Sequence, residues 1–179
     1  YYVVATAEAS SNLARYDGVR FGARRDGEGP AGLFRATRTA GFGEEVKRRL
    51  LLGAFVLSAG YREAWYEKAL RVRALLSSDF ASAFRACDAI LCPTAPEPAF
   101  PLGAWRSDPV ALLLGDVFTV PASLAGLPAL SVPAGLSRDR LPVGVQLVGP
   151  SGSEPLLLRI ARVLEDGRRE DGAPPGAVA

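Results

Sequence analysis

Histidine is absent from all 179 residues. A Ser-His-Asp or Cys-His relay therefore cannot be built within this chain, and histidine metal sites are excluded. Methionine is absent too, position 1 included. The chain opens on Tyr1-Tyr2-Val3-Val4, the aromatic and β-branched composition of a strand, and it reads as the C-terminal part of a longer protein. Only two cysteines occur, Cys87 and Cys92. They lack CxxC spacing and read as buried thiols of a reducing compartment, not as a disulfide. No apolar run reaches the ~20 residues that a bilayer crossing needs. Excess charge is missing as well: 21 basic residues face 19 acidic ones, a net +2 too small to argue for a nucleic-acid surface.

What is present is globular. Apolar residues make up 49% and charged residues 22%, enough for one domain with a core and against a disordered chain. Tyr1 to Ala7 is expected as a strand, followed by Glu8 to Asn12 as a strand-to-helix turn or an active-site loop. Asp17-Gly18 marks a turn, Val19 to Gly22 a short second strand, and Ala23 to Pro30 an exposed loop. A helix is expected over Ala31 to Ala40 and is broken by Gly41-Phe42-Gly43. Val46, Leu50, Ala54 and Leu57 then share one helical face, with Lys47, Arg48 and Arg49 off it. A second long helix carries the stripe Trp65, Ala69, Val72, Leu76, Phe80 and Ala83, joined to the first or kinked at Ala59-Gly60.

Ala89 to Cys92, ended by Pro93, reads as a buried strand. Thr94 to Pro109 is proline-rich and reads as a long loop, with a helical turn over Val110 to Leu114. From Asp116 the local chemistry is sharper. Thr119 or Val120 opens a short helix, and Pro121 sits in its first turn, where a missing N–H costs nothing. Gly126 ends it in the left-handed conformation, and Pro128 keeps it from resuming. Asp116, just before this helix, either helps it start or faces a substrate. Ala129 to Val132 and Val143 to Val148 read as a hairpin, with close backbone approach at Gly144 and Gly149. Ser153 can cap a last helix, Glu154 to Asp166, burying Leu157, Ile160, Ala161 and Leu164; Gly167 ends it. Arg168 to Ala179 reads as a fraying tail. The class is α/β, with helices on both faces of a mixed sheet.

Five islands carry a family resemblance: Tyr1-Tyr2-Val3-Val4-Ala5 with Glu8 to Gly18; Gly41-Phe42-Gly43-Glu44-Glu45-Val46-Lys47-Arg48-Arg49 with Ser58 to Tyr61; Pro93-Thr94-Ala95-Pro96; Ser123-Leu124-Ala125-Gly126-Leu127-Pro128 with Ser131-Val132-Pro133; and Pro142 to Gly149. Together they resemble the amidase signature family, and the first two resemble its glutamine-hydrolysing, tRNA-dependent amidotransferase branch. The resemblance implies an amidase signature fold, with residues 1–167 as the C-terminal part of a single amidase domain and 168–179 as a flexible tail. It implies a Ser–cis-Ser–Lys triad whose serine attacks the side-chain amide of glutamine and releases ammonia. That triad lies upstream of this chain, which on its own is expected to be inactive. The B and C subunits of the amidotransferase are implied as partners in a heterotrimer in the cytoplasm, with no membrane. The B subunit would activate glutamate on tRNA(Gln) with ATP and Mg²⁺ and make most of the tRNA contact, and this chain would need no cofactor of its own.

The same resemblance assigns substrate-binding roles. Free glutamine carries an α-carboxylate and an α-ammonium, and a selective site needs a partner for each. Arg49 would take the carboxylate with its forked guanidinium, Asp116 the ammonium, and Tyr1 would stand beside them. Simpler readings accompany each: a solvated helix arginine for Arg49, a helix cap for Asp116, turn hydrogen bonds for Ser10 and Ser11, a solvated face for Lys47-Arg48-Arg49, and core for Trp65 and Phe80. Two other readings of the whole stand beside the glutaminase: another amidase-signature amide hydrolase, or a scaffold that completes a sheet and docks companion subunits.

Overall fold

The computed structural model describes residues 1–104 and 114–170, the side chains of 168–170 excepted. The helical turn expected over Val110 to Leu114 and the end of the Thr94–Pro109 loop fall largely outside those residues. The chain divides into two compact units, Tyr1–Val72 and Arg73–Ala179.

The first unit is helical: α1 (Tyr2–Leu13), α2 (Gly29–Gly41), α3 (Glu44–Val56), a π-helical turn (Arg62–Glu67) and the start of α4 (Lys68–Ala83), whose residues from Arg73 on belong to the second unit. The strand expected over Tyr1 to Ala7 is therefore part of a helix, and so is the turn expected over Glu8 to Asn12. A four-residue aromatic and β-branched run is too short to separate strand from helix. The alanines at 5, 7 and 9 favour helix, and Val4, Thr6 and Ala7 bury one face. Thr6 satisfies its hydroxyl on the Tyr2 carbonyl one turn back, at 2.8 Å. Asp17-Gly18 makes the expected turn: Val19 N–H donates to the Asp17 carboxylate at 2.8 Å, and Gly18 has φ +72°. Val19 to Gly22 forms bends and no strand. Arg38 of α2 caps the end of α1, its guanidinium donating to the Leu13 carbonyl at 3.2 Å and to that of Tyr16.

On α3 the inward face is rotated from the one expected. Gly53 and Val56 are buried while Ala54 is exposed. The cause is Gly53: a Cβ there would sit 2.0 Å from the Thr6 carbonyl oxygen and 2.7 Å from Ser10 Cβ. α1 lies directly on α3 at this point, and only a missing side chain permits it. Trp65, expected as core, is 54% exposed; Val72 of the same expected stripe is 57% exposed, and no residue of α4 is buried.

The second unit holds β1 (Ile90–Pro93), α5 (Thr119–Ala125), β2 (Ala129–Leu136), β3 (Pro142–Val148) and α6 (Glu154–Glu170). Among the described residues the sheet is antiparallel throughout, in the order β1-β3-β2, where a mixed sheet was expected. The β2–β3 connection is a hairpin, and a short hairpin can only join antiparallel strands. Its register pairs Ala129 with Val148 and Leu136 with Pro142, shifted between Pro133 and Gly135. Pro133 lies on an edge strand, where its lost donor is tolerated.

The core of this unit is Val132, Leu147, Leu157 and Ala161, with Ile160 and Leu164 packed around it, so one face of α6 covers the sheet as its stripe predicts. α5 begins at Thr119 and ends on Gly126 at φ +70°. Gly167 lies inside α6 and does not end it. The Ser153 hydroxyl does not cap that helix; it is buried toward Gly149, with no hydrogen-bond partner among the described residues. Both cysteines are free, but neither is buried as expected: Cys87 is exposed and Cys92 half-buried.

Gly53→Ala tests the α1–α3 contact. Helix propensity alone favours alanine by about 1 kcal/mol. Overlap with a backbone carbonyl costs about 1–3 kcal/mol, and the expected net result is a lower urea midpoint. An unchanged or raised midpoint would refute the close approach.

Candidate functional site

One turn before Gly53 on α3 stands Arg49, and one turn before Thr6 on α1 stands Tyr2. The approach that Gly53 allows therefore brings the start of α1 beside the basic turn of α3. Glu45 organises that turn. Its Oε1 accepts from Arg49 Nε at 2.8 Å and from Arg48 Nη2 at 2.9 Å, and its Oε2 accepts from Arg48 Nε at 2.8 Å. Lys47 pairs with Glu44 at 3.1 Å. The Lys47-Arg48-Arg49 run is thus balanced by acids one turn earlier and is no free basic patch.

The two arginines flank an aromatic ring. The guanidinium carbon of Arg48 lies 5.5 Å from the Tyr2 ring centroid and that of Arg49 5.9 Å, within cation–π range. Arg48 also hydrogen-bonds the Tyr2 hydroxyl. Arg49 is the less exposed of the pair, its side chain 37% accessible against 55% for Arg48. Hydrogen bonding to Glu45, then to Tyr1, raises its already high pKa against the opposing effect of burial. Arg49 and Tyr1, both expected at a substrate site, lie in the same unit, and the ring that Arg49 flanks is that of the adjoining Tyr2. Only Nε of Arg49 goes to Glu45, and the guanidinium carries two further NH₂ groups in one plane.

A surface cleft of about 430 Å³ opens in the same unit, lined by Glu8, Ser11 and Asn12 of α1, Leu57, and Arg62 and Tyr66 of the π-helical turn. Glu8, Ser11 and Asn12 have the i, i+3, i+4 spacing of one helix face, a signal hidden while this segment is read as a turn. No group of three or more His, Cys, Asp or Glu among the described residues could hold a metal.

Asp116 belongs to the second unit and is exposed. Its carbonyl accepts from Thr119 N at 3.2 Å, Val120 N at 3.0 Å and Thr119 Oγ1 at 3.3 Å, so it is its backbone that starts α5. Behind this turn lies a residue that sequence reasoning left within a strand motif. Gln146 of β3, 4% exposed, donates from Nε2 to the Phe118 carbonyl at 2.9 Å and to Cys92 Sγ at 3.4 Å. A lone amide in the apolar run Val143 to Val148 is the signal that could have singled it out.

An amidase family model matches residues 1–158. The chain belongs to the amidase family. It is 55% identical over 174 residues to the A subunit of the glutamyl-tRNA(Gln) amidotransferase of Parvibaculum lavamentivorans, an alignment covering 97% of this chain and 35% of that protein. The crystal structure of the corresponding protein from Thermotoga maritima is 43% identical with a TM-score of 0.57, over 92% of this chain and 32% of that one. The native peptide amidase of Stenotrophomonas maltophilia is similar at 28% identity and a TM-score of 0.56, over 92% and 34%. The chain spans about a third of the length of the curated relatives it matches. The α/β class agrees with these structures, and among the described residues no helix is long and apolar enough to cross a membrane.

The arginine clasp has a pH signature. Hydrogen bonds from Arg48 and then Arg49 hold the Glu45 carboxyl at about 2, below its ordinary 4.5. A depressed folded pKa contributes stability that is present above the ordinary value and is lost as pH falls toward the folded one. The Glu45 side chain is 51% exposed, so solvent screening keeps that contribution small. Carboxyl-carbon NMR is expected to show Glu45 still ionised at pH 3; a midpoint near 4.5 would show the clasp to be open in solution.

Proposed function

We propose that this chain is the C-terminal part of the glutaminase subunit of the tRNA-dependent amidotransferase. That enzyme hydrolyses glutamine and uses the ammonia, with ATP, to convert Glu-tRNA(Gln) to Gln-tRNA(Gln). In this reading residues 1–167 are part of a single amidase domain, and the Ser–cis-Ser–Lys triad belongs to the remainder of the longer protein. Identity of 55% across nearly the whole chain supports the assignment. The observation in the structure that supports it is the Arg49 guanidinium, half-buried on α3, held through Nε by Glu45 and set over the Tyr2 ring at the start of α1.

The chemistry follows from these residues. Arg49 is steadied through Nε by Glu45 and receives the α-carboxylate of glutamine on its remaining NH₂ edge. Tyr1 adjoins Tyr2, whose ring that guanidinium flanks, and belongs to the same site. The Asp116 carboxylate takes the α-ammonium, so a substrate lacking either charge leaves one of the two unpaired. With its charges paired, glutamine presents its side-chain amide to the serine supplied upstream, and ammonia leaves for the B subunit. There, ATP and Mg²⁺ serve the activation of the tRNA-bound glutamate, and the C subunit completes the heterotrimer in the cytoplasm. Exposed apolar side chains such as Leu51 at 74% and Leu75 at 66% fit a chain that is covered by the rest of a larger protein.

In the full-length enzyme, Arg49→Ala is expected to raise the glutamine KM about tenfold or more, the scale of a lost charge-assisted contact. Arg49→Lys should recover only part of that, because an ammonium cannot fork. A KM within about twofold of wild type would return the chain to an amide hydrolase of other specificity. The 179-residue chain by itself is expected to release no ammonia from glutamine.

A further inference from the structure

Among the described residues of the second unit, one buried polar residue is an amide with a defined target. Gln146 is 4% exposed at the centre of the sheet, paired across β3 with Cys92 on one side and Ser131 on the other. Its Nε2 spans from the sheet to the Phe118 carbonyl at 2.9 Å, the residue at the N-cap of α5. Its second contact, to Cys92 Sγ at 3.4 Å, is weak and leaves the Phe118 bond as the specific one. Phe118 is two residues from Asp116. The turn between them is closed by the Asp116 carbonyl on Thr119 N–H and Val120 N–H, which ties the Asp116 backbone to the first turn of α5.

We propose that Gln146 is a positioning residue for substrate binding: through the Phe118 carbonyl it sets where the Asp116 carboxylate stands. This rests on the reading of Asp116 as the partner of the substrate ammonium. Burying an amide carries a desolvation cost that an isosteric apolar side chain on the same sheet face would not. Its geometry specifies a distance between β3 and the α5 N-terminus that apolar packing leaves loose. Gln146 does not touch the substrate. Its effect reaches the reaction only through Asp116 and so falls on KM, the constant that reports lost ground-state binding.

The test uses the full-length enzyme and glutamine kinetics with four proteins: wild type, Gln146→Met, Asp116→Asn and the double variant. Gln146→Met keeps the shape and removes the donor. It is expected to raise KM by about fivefold or more with kcat within about twofold, the scale of losing one buried hydrogen bond. Asp116→Asn is expected to raise KM at least as much. In the double variant the Gln146 effect should vanish, since there is no charge left to place. If Asp116→Asn raises KM but Gln146→Met does not, or if the two effects simply add, the positioning role is overturned while the glutamine reading stands. If Asp116→Asn leaves KM unchanged, both fail together. Should Gln146→Met not yield folded enzyme, Gln146→Asn, one methylene too short to reach Phe118, serves the same cycle with the same outcomes.

Discussion

The first unit depends on one close approach, that of the Thr6 carbonyl to the bare Cα of Gly53. A side chain at position 53 would hold α1 and α3 apart. Without it, the two helices lie side by side, and one turn earlier on each the Tyr2 ring meets Arg48 and Arg49. The glycine is unfavourable for the helix by intrinsic propensity; what it permits is a contact that no other residue type allows.

Electrostatics then refine what packing brings together. A single carboxylate, Glu45, serves two guanidinium groups and fixes both against the start of α1. The surrounding exposure keeps the net stabilisation modest. What the arrangement contributes is geometry: an arginine already held by Nε loses less rotamer freedom when a carboxylate arrives than a free one does. The second unit achieves a similar constraint with a neutral group. The amide of Gln146 ties the N-terminus of α5 to a sheet whose core, Val132, Leu147, Leu157 and Ala161, is otherwise wholly apolar.

Much of the second unit is legible in the amino-acid order. Pro121, Gly126 and Pro128 mark the beginning and end of α5 because each restricts the backbone locally. The Leu157, Ile160, Ala161 and Leu164 stripe and the alternation around the hairpin need only periodicity. The first unit is less legible. Tyr1-Tyr2-Val3-Val4 has strand composition, and no short-range signal opposes it. Its helical state comes from burial of Val4 and Ala7 within the folded unit. The rotated face of α3 likewise follows from a glycine contact that leaves no periodic trace.

The sequence by itself determined the family, the α/β class, the boundaries punctuated by proline and glycine, and the identity of Arg49, Asp116 and Tyr1 as residues to examine. These rest on local backbone restriction and on short ordered motifs, which a linear reading holds in full. Only the tertiary structure decided that Tyr2 begins a helix, that its ring meets Arg48 and Arg49, that Glu45 clasps both arginines, and that Gln146 reaches the Phe118 carbonyl. Each of those is a contact between residues whose chemistry is permissive taken one at a time. Which partner they meet is set by how closely two elements can pack.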